Sequence, residues 1–252
     1  MISEVQEKIL PAIVSENEEL SEKVLVADAV FNAIGLTSYE LSDQVDFDSW
    51  FQSTLAPLMV QKTSKILKRR VSWLISQWVC VKFNAERRPV LYELVLQMMA
   101  PGEDLVVRLE SALLLKTAID DYTYDPAQFV DLQQKACTSL FNLLTECEEC
   151  DTKMRVLYIY SLILKRQRGL MSISIAQLGE YLPTLWDHAE EHHLLRGAIV
   201  CLLLELTLSV TSQSVSLYNL LIPILSTSCN PHSEFYIYLA DDGLDLWVSY
   251  LR

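Results

Sequence analysis

Apolar residues recur along this chain three and four positions apart, in long runs separated by short polar turns, which is the signature of amphipathic helices. The stretch 101–121 shows the pattern at its fullest. Pro101 and Gly102 break what precedes them, and Glu103 and Asp104 place negative charge where a new helix begins. From 105 to 119 the apolar positions run around most of the helix circumference, so this helix is sandwiched between neighbours. The same grammar elsewhere predicts helices in pairs, at 2–15 and 21–41, 46–60 and 65–83, 86–99 and 103–120, 127–146 and 152–167, 174–187 and 191–211, and 214–226 and 234–251. No alternating strand pattern competes with this reading.

Two landmarks turn the helices into a repeat. Prolines sit inside apolar runs at Pro11, Pro57, Pro183 and Pro223, with steps of 46, 126 and 40, the middle step being three times 42. A proline at one place in successive helices bends each in the same way, because it removes a backbone donor and crowds the preceding turn. Arginines open apolar runs at Arg70, Arg108, Arg155 and Arg196, with steps of 38, 47 and 41. Asp28 and Asn32 precede Arg70 by one such step, standing where Asp104 and Arg108 stand in a later repeat. A helix–turn–helix period of about 40–47 residues is that of HEAT and armadillo units. The expected fold is all-α, an α-solenoid of about six helical hairpins in one segment, 1–252, with units near 1–41, 42–83, 84–121, 122–168, 169–211 and 212–252.

Composition narrows what such a stack does. Half of the 252 residues are hydrophobic, yet the net charge is −13, which describes a filled interior under an acidic surface. That balance opposes a duplex nucleic-acid binder, which needs clustered cations for phosphates, and favours a basic protein partner. The charge is blocked: residues 1–50 are net −9, 51–100 net +6 and 101–150 net −7. Such blocks read first as solvated faces and turns, and otherwise as register marks for a partner. Six scattered glycines leave no phosphate-cradling loop and no nucleophile elbow. The six cysteines lie mostly inside apolar helical runs and read as buried free thiols in a reducing compartment. No run reaches the ~18 apolar residues of a membrane span, and the acid-bearing start is unlike a signal peptide, so a soluble intracellular protein is expected.

The wording of the chain is more specific than its period. The runs DAVFNAIGLTSYEL (28–41), VDFDSWF (45–51), RRVSWLISQW (69–78), RPVLYE (88–93) and DLVVR (104–108) resemble the middle of an importin-β-type nuclear transport receptor, of the karyopherin-β family. So do ECDTKMRVL (149–157), YLPTLW (181–186), EEHHLLR (190–196) and LADDGLDLW (239–247). The resemblance implies a HEAT superhelix that carries protein cargo through the nuclear pore under control of Ran-GTP, touches Phe-Gly repeats of nucleoporins, shuttles between nucleus and cytoplasm, and needs no cofactor. Such receptors are several times longer, and the amino-terminal repeats that chiefly hold Ran have no counterpart here, so cargo contact is the expected local role. A segment of this kind should also expose apolar surface near Ile9 and Trp247.

The remaining candidates weigh chemistry against structure. His188, Glu191 and His192 fit H-x-x-E-H, the zinc-peptidase pattern, but they straddle a predicted turn and lack a visible third ligand. Cys147 and Cys150 form a lone C-x-x-C without the second pair of a structural zinc site. Asp104 with Arg108 and Asp151 with Arg155 are i,i+4 pairs, expected to form, with Arg70 and Arg196, a ladder between adjacent inner helices or cargo contacts. Trp50 and Phe51 are the candidate outer-face Phe-Gly pocket. Binding without catalysis is the expected function, with a HEAT scaffold for another complex as the alternative and a metallopeptidase as the remote one.

Overall fold

The computed structural model describes residues 22–61, 64–168, 176–210 and 217–251. Among them no strand occurs. The helices are α1 (Glu22–Leu36), α2 (Ser38–Leu41), α3 (Phe47–Trp50), α4 (Ala56–Val60), α5 (Lys65–Val79), α6 (Arg88–Met98), α7 (Leu105–Asp120), α8 (Gln133–Glu146), α9 (Cys150–Arg166), α10 (Ala176–His188), α11 (His193–Val210), α12 (Tyr218–Ser228) and α13 (Tyr236–Tyr250). A π turn, Phe51–Leu55, joins α3 to α4, and 3-10 turns at Ala85–Arg87 and Pro126–Gln128 lead into later helices. These form helical hairpins α3–α4/α5, α6/α7, α8/α9, α10/α11 and α12/α13, preceded by α1. The expected first helix, 2–15, and Pro11 lie outside the described residues.

The chain divides into two compact units, Met1–Leu132 and Gln133–Arg252. In the first, α1, α5 and α7 lie side by side, with α4 and α6 behind them; in the second, α9, α11 and α13 lie side by side. Each unit is thus a stack of hairpins packed through their second helices, the solenoid pattern that the repeat predicts. The helix starts are chemical. Asp46, Ser64 and Asp104 accept hydrogen bonds from the amides of Ser49, Ile66 and Val106, satisfying donors that the first turn leaves bare. The π turn lies just ahead of Pro57, and a widened turn relieves the crowding that proline imposes on the carbonyl four residues back. Pro183 and Pro223 sit inside α10 and α12, repeating the landmark.

Boundaries differ from expectation where side chains intervene. The second helix of the first hairpin breaks at Thr37, between α1 and α2. The helix expected from 127 starts only at Gln133, because Phe129 is drawn into the core against Tyr92, with ring centroids 5.0 Å apart. Aromatic packing fills the first unit: Phe47 stacks on Trp78 at 4.7 Å, Trp50 meets Phe31 and Phe47 edge-on, and Phe51 meets Phe83 at 5.2 Å. Fully burying each such ring contributes roughly 1.5–3 kcal/mol. The second unit relies on aliphatic residues, among them Leu140, Leu157, Ile199, Leu203 and Leu246.

Candidate functional site

The second-helix layer of the first unit is tied by charge. Arg70, on α5, donates Nε and Nη2 to the two carboxylate oxygens of Asp28 on α1, at 2.7 and 3.2 Å, and Nη1 to Asn32 at 2.6 Å. Its guanidinium also lies 4.9 Å from the centre of the Trp73 ring. On the other side of α5, Lys65 pairs with Asp104 at 3.4 Å and Lys68 with Glu103 at 2.5 Å. The partners Asn32–Arg70, Lys65–Asp104 and Ser72–Ser111 are 38 or 39 residues apart, so one repeat step separates matching positions. At the far end of the same hairpins Arg88, 1% exposed, donates to Asp121, Thr123 and the Ala118 carbonyl. Burial pushes the Asp121 carboxyl up, but the Thr123 bonds and the Arg88 charge outweigh it and hold it below its ordinary range. In the basic block 51–100, Lys65, Lys68, Arg70, Arg87 and Arg88 are thus engaged in inter-hairpin ion pairs, while most described acids of the flanking blocks stand outside such pairs, as solvated faces do.

The expected i,i+4 pairs do not form. Asp104 caps α7 and reaches Lys65, which turns its carboxylate away from Arg108, a buried residue. Asp151 and Arg155 lie exposed on α9 with no ion pair between them. Arg196, almost fully buried, is clasped between the rings of Trp186 and Phe235, 4.6 and 4.4 Å from their centres. Desolvation lowers its pKa, and the Glu190, Asp187 and Glu234 charges work against that. The landmark arginines Arg70, Arg155 and Arg196 thus differ in their surroundings, the first ion-paired, the second exposed and the third enclosed by rings. Trp50 and Phe51, 5% and 1% exposed, are core residues, so the Phe-Gly pocket expected there has no open ring to offer.

The histidine run is split by the turn. His188 ends α10, its Nδ1 2.6 Å from the Thr184 carbonyl, while Glu191 and His192 precede α11. Among the described residues no group of three His, Cys, Asp or Glu side chains is placed to hold a metal ion. Cys147 is buried and Cys150 partly so, both as free thiols. His232 donates its backbone amide to Asn230, as a turn residue does. No helix among the described residues is long and apolar enough to cross a membrane.

Two surfaces of the second unit were not foreseen. The first lies on α9, α11 and α13, where Tyr158, Leu194 and Tyr238 are 41%, 58% and 57% exposed. Tyr238 stacks on His193 at 4.0 Å, and Asp242 follows it one turn later. Burial raises the Asp242 carboxyl, Asp245 and Asp241 add to the rise, and a hydrogen bond from the Cys201 thiol opposes it. The same burial, with the Asp242 charge, pushes the Cys201 thiol up to about 12. Cys201 and Asp242 are 41 residues apart, one repeat step, which was the only sequence signal for their meeting. The second surface is a groove between α10 and α12, a cavity of about 290 Å³ lined by Pro183, Trp186, Leu217, Leu220 and Pro223. Its two prolines are landmarks of the repeat, though the sequence did not say that they share a wall. Trp247 and Val248 on α13 are also exposed.

Comparison with known proteins agrees with this geometry. A family model described as Importin-11-like, TPR repeats, matches residues 197–252. Human Importin-11 is 41% identical over 234 residues, covering 92% of this chain and 24% of that protein. The Importin beta-like protein KAP120 of Saccharomyces cerevisiae is 26% identical, covering 97% of this chain and 25% of that protein. The solved structure of Lph2, a bidirectional nuclear transport receptor in S. cerevisiae, superposes with a TM-score of 0.86 at 25% identity, over 100% of this chain and 26% of that one. The chain spans about a quarter of the length of the curated relatives it matches. In sequence and in fold alike, it is similar to one segment of the importin-11-type, karyopherin-like nuclear transport receptors.

Proposed function

We propose that this chain serves as a cargo-holding part of a nuclear transport receptor, acting by binding and not by catalysis, in a cycle controlled by Ran-GTP between nucleus and cytoplasm. One observation supports it above the others. Residues 176–251 carry nine carboxylates and a single Lys or Arg, Arg196, which is closed between two rings. Of those carboxylates Glu205 alone has a cation partner, Arg168, among the described residues. Asp241 and Asp245 therefore face solvent without a cation partner on the helix that carries Tyr238, and half-buried Asp242, close to Tyr158, has only the Cys201 thiol as partner. Carboxylates next to exposed aromatic rings favour lysine and arginine side chains, so the cargo of this surface is basic. Ran-GTP contact is assigned to the longer receptor more than to this stretch.

The test is direct binding of a labelled Lys/Arg-rich protein segment to the purified chain across a salt series. Affinity is expected to fall at least about tenfold between 0.05 and 0.5 M NaCl, and the triple variant D241N/D242N/D245N to bind weakly at all salts. Affinity indifferent to both salt and the triple variant would remove the reading. A second contact is favoured by the α10/α12 groove, whose apolar walls suit the phenyl ring of a nucleoporin Phe-Gly repeat. Leu220→Asp is expected to abolish Phe-Gly peptide binding while leaving basic-segment binding intact. Pull-down with GTP-locked Ran, from this chain and from a full-length receptor side by side, separates the Ran assignment from the cargo assignment.

A further inference from the structure

Arg88 and Arg196 are both withdrawn from solvent, at 1% and 7% exposure, and they are held in opposite ways. The Arg88 guanidinium donates to the Ala118 carbonyl, Asp121 and Thr123. The Arg196 guanidinium donates to no acceptor among the described residues, and its Nε is buried without one. The Trp186 and Phe235 rings cover its faces, with centres 4.6 and 4.4 Å away. Ring faces attract the cation, but the N–H bonds point outward in the guanidinium plane and find no acceptor there. A buried donor left unpaired is costly, and native chains keep few of them. Acids stand around this edge. Asp187 at the end of α10, Glu190 in the turn after it and Glu234 ahead of α13 are exposed, and their charges act on Arg196. None of the three closes on it as an ion pair. The slot also continues the exposed rings of this unit: His193, which stacks on Tyr238, lies one turn before Arg196 on α11, and Tyr238 lies one turn after Phe235.

We propose that this slot anchors the main chain of a basic partner segment: the Arg196 guanidinium donates to a backbone carbonyl of the partner, and Asp187, Glu190 and Glu234 receive the lysine or arginine side chains on either side of it. The assignment rests on the reading that the chain binds a basic partner, and it adds the point at which that partner's backbone is fixed. The chemistry of the slot selects the ligand. A carboxylate or phosphate would meet three acids for one guanidinium and be repelled on balance. A bare cation would meet the guanidinium itself. An amide carbonyl is uncharged, accepts in the plane in which the N–H bonds lie, and comes flanked by its own side chains. A basic peptide therefore satisfies the guanidinium and the acids together. The two rings confine the approach to that plane, which suits a flat, extended main chain over a bulky group.

The sign of one substitution separates an anchor from a bystander. Arg196→Met keeps an apolar stem between the rings and makes the intact chain more negative by one charge. If the guanidinium only packs, losing its repulsion leaves a labelled peptide of alternating lysine and alanine bound as tightly as before, or more tightly. An anchor carries a charge-assisted hydrogen bond, so affinity is expected to fall about tenfold at about 0.1 M NaCl. Arg196→Lys keeps the charge but not the planar edge. It should bind in between, and it carries the affinity test if Arg196→Met does not fold. In proton–nitrogen spectra of the wild type, the guanidinium signals of Arg196 should shift when the lysine peptide is added and stay in place with a glutamate–alanine peptide, a response that a purely structural arginine does not give. Unchanged or tighter binding by the variants, guanidinium signals that ignore the lysine peptide, or signals that answer the glutamate peptide instead would each overturn the anchor. If the lysine peptide does not bind the wild type at all, the basic-partner reading fails and the anchor with it. Binding to the wild type that Arg196→Met leaves intact removes the anchor alone.

Discussion

The two units stack the same element with different chemistry. In the first, the cations are neutralised at home: Lys65, Lys68, Arg70, Arg87 and Arg88 pair with Asp104, Glu103, Asp28, Asp48 and Asp121 across hairpins. In the second, Arg168 pairs with Glu205, and two other cations go to rings. Lys153 lies over Tyr181 and donates to its hydroxyl, and Arg196 sits between Trp186 and Phe235, while the carboxylates of α13 have no ion-pair partner among the described residues. A repeat can therefore keep its geometry while moving its charge from the joints to the surface. The unit that neutralises its charge internally gains braced joints, and the unit that leaves acids free gains a surface for a basic partner.

The largest effect should come from the buried pair. Arg88→Met strands Asp121 in a site that is almost closed to solvent, and loss of about 3–5 kcal/mol of unfolding free energy is expected, measured by urea titration. The sign with pH follows from the depressed Asp121 carboxyl. Its contribution is full above the ordinary aspartate range and is lost as pH falls through the folded-state value, so the wild-type advantage over Arg88→Met should shrink in acid. Next comes Gly35→Ala, whose methyl must displace the Trp73 ring; about 1–3 kcal/mol is expected, and a cost near zero would show that the α1–α5 joint yields easily.

Smaller changes sharpen the contrast. Asp242 is the reverse of Asp121: its carboxyl is raised by burial and by Asp245 and Asp241, so the folded chain holds its proton more tightly than the unfolded chain. Stability should fall as pH rises from the ordinary aspartate value through the raised one. Asp242→Asn should remove that slope and raise the melting temperature slightly at neutral pH. Smallest of all is Lys65→Met. Its pair with Asp104 is half exposed, and a thermal-melt change corresponding to about 0.2–1 kcal/mol is expected, vanishing at high salt.

The hairpins were legible because apolar spacing, capping residues and landmark prolines are local signals, and local signals survive in one sequence. The join between Arg70 and Asp28–Asn32 was half legible: the spacing of 38 aligned them, but their contact needed α1 and α5 to lie side by side. Asp104 misled because a residue four before an arginine is also the residue that caps the helix, and capping plus Lys65 takes its carboxylate first. Trp50 and Phe51 misled for another reason. An aromatic pair looks alike in a core and in a pocket, and only the neighbours Phe31 and Phe83, brought in from other elements, decide. The acid surface of α13 was hidden by averaging, since a net charge of −13 does not say which carboxylates find cations.

The bare notch at Gly35 has an evolutionary reading. While an indole occupies position 73 in this rotamer, a side chain at position 35 fits only if the ring shifts, and any descendant that shrinks the indole opens room for a methyl opposite. The two positions, far apart in the chain and in different helices, are thereby coupled in what they tolerate. Sequences from distant lineages should therefore show paired exchanges there, glycine with a large ring, a bulkier residue with a smaller one.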